Sequence, residues 1–90
     1  MERCRTLWKE GKFTWVRHAE ERLSALGWDI TDVENMIRYG RVIEHSKPGD
    51  FWRYKLEGPN AERQTGGLAY EFHGELLVLV SVMMKGKWRN

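Results

Sequence analysis

The chain has 90 residues, 41% of them hydrophobic and 31% charged, which is enough for one domain around a single core and too little for two. A net charge of +2 is too small to mark a nucleic-acid binder by composition, and a lone cysteine, Cys4, excludes an internal disulfide and a cysteine-cluster zinc site. The longest apolar run, Leu76 to Met84, is too short to span a bilayer, and the opening Met-Glu-Arg-Cys-Arg lacks the apolar stretch of a secretory signal; a cytoplasmic protein with no membrane partner is expected.

The charge is unevenly spread. Residues 1–12 carry four bases and two acids, a balance of +2, and residues 85–90 carry Lys85, Lys87 and Arg89 with no acid, a balance of +3, leaving 2 − 2 − 3 = −3 for the body. Basic ends on a slightly acidic body either steer an anion or are simply solvated. Of the five tryptophans, Trp8 and Trp88 lie in polar ends and are expected at the surface, while Trp15, Trp28 and Trp52 are expected in the core.

Residues 1–12 show no clear period and read as an N-terminal arm, or as a short extra helix docked through Leu7 and Trp8. A first helix is predicted from Thr14, as N-cap, to Gly27, a residue suited to the left-handed turn after a helix. Its Trp15, Ala19, Leu23 and Leu26 form an apolar stripe, and His18 and Arg22, spaced i to i+4, share a neighbouring face. Thr31-Asp32-Val33-Glu34 reads as a capping box opening a second helix, which buries Val33, Met36 and Ile37 and stops at Gly40.

Beyond Gly40 the period changes to two. Arg41 to His45 is a short strand, closed by the turn signal Lys47-Pro48-Gly49-Asp50. Phe51 to Glu57 alternates, with Trp52, Tyr54 and Leu56 on one face and Arg53, Lys55 and Glu57 on the other. Gly58 to Gly67 is predicted as a mobile loop, with Thr65-Gly66-Gly67 at a hairpin. Leu68 to His73 alternates again, His73-Gly74 turns, and Leu76 to Met84 has the apolar character of a central strand covered on both faces. The order predicts an α+β domain over 13–85, with two N-terminal helices packed on one face of a mostly antiparallel sheet of about four strands. Residues 86–90 form a basic tail.

Two groups of side chains suggest chemistry. Arg53 and Lys55 share a strand face, as do Glu71 and His73, so a suitable register brings all four together. Cleavage of RNA through its 2′-hydroxyl needs a base, an acid and cations for the extra charge on phosphorus, and no metal. The same four residues also suit cross-strand pairing on a solvated face. His18 and Arg22 suit either a phosphate contact or a structural role, with Arg22 pairing Asp32 or Glu34. The three histidines are scattered without metal-ligand spacing, no phosphate-binding glycine loop follows a strand, and no cofactor is expected.

The run His18-Ala19-Glu20-Glu21-Arg22-Leu23, followed by Tyr39-Gly40-Arg41-Val42-Ile43-Glu44, an aromatic-rich strand and a closing hydrophobic strand, resembles the bacterial and phage family called domain of unknown function 4258. That family is similar in turn to ribonuclease toxins of the RelE and MqsR type, which cut mRNA without a metal and are silenced by an antitoxin. The resemblance implicates Lys55 and Lys85 in catalysis, with Tyr54 and Gln64 in substrate contact; the toxins' catalytic tyrosine has no counterpart near Gly67. Combined with the residues themselves, it predicts a metal-independent endoribonuclease or an inactive relative. Lys55, Lys85 and His18 or His73 would act in catalysis, with Arg22, Arg53, Tyr54 and Gln64 on RNA. The alternative is a non-catalytic module that binds RNA or protein, and a homodimer burying tryptophans is a further arrangement.

Overall fold

Leu76–Met84 forms β5, and its apolar residues on both faces explain its position inside the sheet. The computed structural model describes residues 1–85; the basic tail, Trp88 included, lies outside the described residues. In chain order the other elements are α1 (Glu2–Lys9), β1 (Phe13–Trp15), α2 (Arg17–Ala25), α3 (Ile30–Tyr39), β2 (Arg41–Ser46), β3 (Arg53–Pro59) and β4 (Thr65–His73). The strand order is β1-β5-β4-β3-β2, with β1 parallel to β5 and the remaining neighbours antiparallel. The domain is α+β, with three helices and five strands among the described residues where two and about four were expected.

Both additions come from the first fifteen residues. The helix expected from Thr14 as N-cap gives way to a strand at Phe13-Thr14-Trp15, because aromatic and β-branched residues also suit a strand and here they meet the free edge of β5. Lys12 O accepts from Leu77 N and Val16 N donates to Leu79 O, so the helix starts only at Arg17, with extended Val16 as its N-cap. The preceding residues form a docked helix and not an arm. Cys4, Leu7 and Trp8 of α1 are buried, and Trp8 stacks on Phe13 with ring centroids 4.2 Å apart. Trp8 is therefore a core residue, and the expectation of an exposed ring is corrected. Trp52 errs the other way: it falls just before β3, beside His45, and is 49% exposed.

The cap of α3 lies two residues earlier than predicted. Asp29 Oδ1 accepts from Thr31 N at 2.9 Å, and Asp32 Oδ2 accepts from Asp29 N at 3.0 Å. Asp32 is favoured as the returning acid because its other oxygen accepts from Ala61 N, 3.0 Å away, and so ties the helix to the β3–β4 connection. That connection is residues 60–64, not 58–67, because Gly58 pairs with Gly66 and Pro59 with Thr65. Asn60, fully buried, organises it: its Oδ1 accepts from the backbone N–H of Glu62 and Gln64, and its side-chain amide donates to Gln64 Oε1.

Alternation along the strands separates two faces. Leu56, Leu68, Tyr70, Leu77, Leu79 and Val82 join Cys4, Leu7, Trp8, Val33, Met36 and Ile37 in one core under α1 and α3. α3 crosses β3 backbone to backbone: a Cβ on Gly58 would lie 2.7 Å from Gly40 Cα. The opposite face of β3 and β4 carries Arg53, Lys55, Glu57, Glu71 and His73.

Candidate functional site on the polar sheet face

The antiparallel register sets Arg53 of β3 directly opposite Glu71 of β4, and His73 follows Glu71 on the same face. Arg53 donates to Glu71 Oε2 from Nε at 2.9 Å and places Nη2 at 2.8 Å from the same oxygen. His73 Nε2 lies 2.8 Å from Glu71 Oε1. Both carboxylate oxygens are thus engaged. Burial of Glu71, only 8% exposed, would push its pKa up, but the hydrogen bonds from His73 and Arg53 outweigh this and hold the carboxyl below its usual range. Phe51 stacks on the imidazole, ring centroids 3.7 Å apart and planes 16° apart. Glu71 occupies one ring nitrogen and Phe51 one ring face, which leaves Nδ1 as the nitrogen available for proton exchange.

Lys55, two residues beyond Arg53 on the same face, places Nζ 2.9 Å from Glu44 Oε1 of β2. This pairing depends on a β-bulge. Val42 faces Leu56 and Glu44 faces Lys55, so Ile43 is the extra residue; in an unbroken register Ile43 would face Lys55 and Glu44 would stand opposite Tyr54. The face therefore bears Glu44, Lys55, Arg53, Glu71 and His73 in succession, with exposed Phe51 at one end; exposed Trp52 lies instead beside His45, which stands opposite Tyr54 on the other side of the sheet.

The other predicted residues lie elsewhere. Tyr54 points to the core side, stacked on Tyr70 at 5.4 Å. Gln64 is turned back onto Asn60 within the 60–64 connection. Lys85 follows β5 and donates its N–H to Thr65 O, while His73 ends the nine-residue β4 at the opposite end, roughly 27 Å from Thr65. His18 is exposed near the start of α2, which packs on β5. Arg22 bonds neither Asp32 nor Glu34 as expected; its Nε is buried without a partner among the described residues. Two members of the face, Glu44 and Phe51, were missed. Glu44 depends on the bulge, and Phe51 was assigned to a strand that starts only at Arg53.

Among the described residues no group of three His, Cys, Asp or Glu side chains could hold a metal ion, and no helix is long and apolar enough to cross a membrane. No family model matches the sequence, and comparisons with curated proteins and with solved structures give no match.

Proposed function

We propose that the polar sheet face binds RNA and cuts it without a metal, in the manner of the RelE and MqsR toxins, with His73 as the proton-transfer group. The observation that carries this reading is the Arg53–Glu71–His73 chain, with a carboxylate clamped between a guanidinium and an imidazole. Glu71 holds the ring through Nε2, while Nδ1 faces the reaction. In one half of the step a base takes the 2′-hydroxyl proton and the 2′-oxygen attacks phosphorus. In the other the bond to the 5′-oxygen breaks and an acid protonates that oxygen, leaving a 2′,3′-cyclic phosphate. Arg53 spends two of its five N–H groups on Glu71 and keeps the others for phosphate oxygens, and Lys55 adds a second cation on the same face. Cytoplasmic action on mRNA and silencing by a partner protein belong to the same proposal.

The test is cleavage of mixed-sequence RNA in excess EDTA. Wild type is expected to cleave, and His73→Ala to lose about 100-fold or more in rate with the fold intact by circular dichroism. Lys55→Ala and Arg53→Ala should lose at least about tenfold. Absence of cleavage by folded wild type across several RNAs would overturn the catalytic reading. The exposed ring of Phe51 (41%), stacked on His73, favours a second one, in which the same face binds single-stranded RNA by stacking and cuts nothing. In that case RNA would bind wild type, and Phe51→Ala would weaken it.

A further inference from the structure

The helical side of the molecule carries a groove that the sheet-face chemistry does not use. Its first part, a cleft of about 370 Å³ between α1 and α3, has Arg5, Lys9 and Arg38 around Trp8 and Ile37. A second cleft of about 200 Å³ shares Trp8 and Glu34 with the first. A third, of about 360 Å³, shares Ile30 with the second and reaches Leu23 and Trp28. The three follow one another through these shared lining residues, and Ile30, 52% exposed, stands between the last two.

Charge is graded along this groove. The first cleft has three bases and one acid, Glu34, which accepts a hydrogen bond from Trp8 Nε1. Arg5 donates to the carbonyls of Ile37 and Gly40, which orient the guanidinium but leave its charge uncancelled. Among the described residues the far cleft is lined by Glu20 and Asp29 and by no base. An apolar floor with a positive end and a negative end specifies both the chemistry and the direction of its occupant.

We propose that the groove docks a segment of another protein, with carboxylates at one end of a short apolar stretch and a lysine or arginine at the other. RNA fits poorly: Trp8 and Trp28 are each only 8% exposed, so neither offers a free ring face for stacking, and Glu20 and Asp29 repel phosphate. The three clefts share no lining residue with the Arg53–Glu71–His73 chain, so this proposal stands whether or not the polar face cuts RNA.

The experiment is selection of random displayed peptides of about twelve residues on the wild-type protein, followed by affinity measurements on those enriched. Enriched peptides should place Asp or Glu beside Leu, Ile or Phe. Their binding should weaken about tenfold or more in Ile30→Glu and in the double variant Lys9→Glu/Arg38→Glu. Exchanging the peptides' acids for lysines should restore binding to the double variant. All three altered positions are exposed, and circular dichroism checks that the variants fold. Failure to enrich peptides, or binders indifferent to these variants, would overturn the proposal. So would a wild-type dimer dissociated by Ile30→Glu in sedimentation, which assigns the groove to a second copy. Binding of an oligouridylate weakened by the same variants would overturn it in favour of RNA.

Discussion

Glu71 shows how one side chain can serve both stability and chemistry. A carboxylate only 8% exposed is tolerated because Arg53 and His73 each hold one of its oxygens. Arg53→Ala removes the permanent cation and leaves the carboxylate with His73 alone; because Arg53 is partly solvated, the cost should be about 1 kcal/mol, read as a fall in melting temperature of about 4–8 °C. The pH dependence has a definite sign. The folded pKa of Glu71 lies below the ordinary value of 4.5, so the unfolded chain binds more protons as the pH drops towards it. The stabilisation is fully present above about pH 4.5 and is lost as the pH falls through the folded pKa. Urea unfolding at a series of pH values between about 3 and 6 should show this slope in wild type, and a shallower one in Glu71→Gln.

Among the elements, α3 crosses β3 at a close backbone junction. Gly40 ends the helix and Gly58 lies beneath it, and a Cβ on Gly58 would also meet Met36 O at 2.7 Å. Both obstacles are backbone and cannot swing aside. Gly58→Ala is therefore expected to cost about 1–3 kcal/mol or to push α3 off the sheet, with a lower urea midpoint as the readout. The glycine signals were legible in the chain, but only as stops: Gly40 was read as a helix end and Gly58 as the start of a loop. Their shared role as a contact between two backbones depends on the pairing of Gly58 with Gly66, which joins residues on separate strands. The site was legible to a similar depth. Alternation placed Arg53 with Lys55 and Glu71 with His73, whereas the direct opposition of Arg53 to Glu71 required the register, and Glu44 required the bulge at Ile43.

For the whole molecule, α1 is the closing piece of the core. Cys4 is fully buried, and burial pushes its thiol up to about 11, so in the folded protein it is a neutral, unreactive group. Labelling by a thiol reagent near neutral pH should therefore proceed only through opening of α1, and its rate should follow the unfolding equilibrium measured by denaturant. Removal of residues 1–10 should abolish cooperative unfolding, because Leu7 and Trp8 leave the core together with Cys4. Rapid labelling of Cys4 in otherwise folded protein would show that this helix is peripheral.

Local patterning was sufficient for the elements whose partners hardly matter. The amphipathic helix ending at Gly40, the alternating strands around Tyr54 and Tyr70, and the buried strand at Leu76–Met84 follow from period, turn residues and hydrophobic content. These alone gave a segregated α+β order. The parallel edge strand Phe13–Trp15 and the docking of α1 came from the assembled fold, because a three-residue strand has no period of its own and forms only where β5 offers an unpaired edge. The same cause separates the predicted site residues. His18, Arg22, Gln64 and Lys85 carry suitable chemistry in the chain, but distance across a sheet is set by strand order and register, and these left Arg53, Lys55, Glu71 and His73 together.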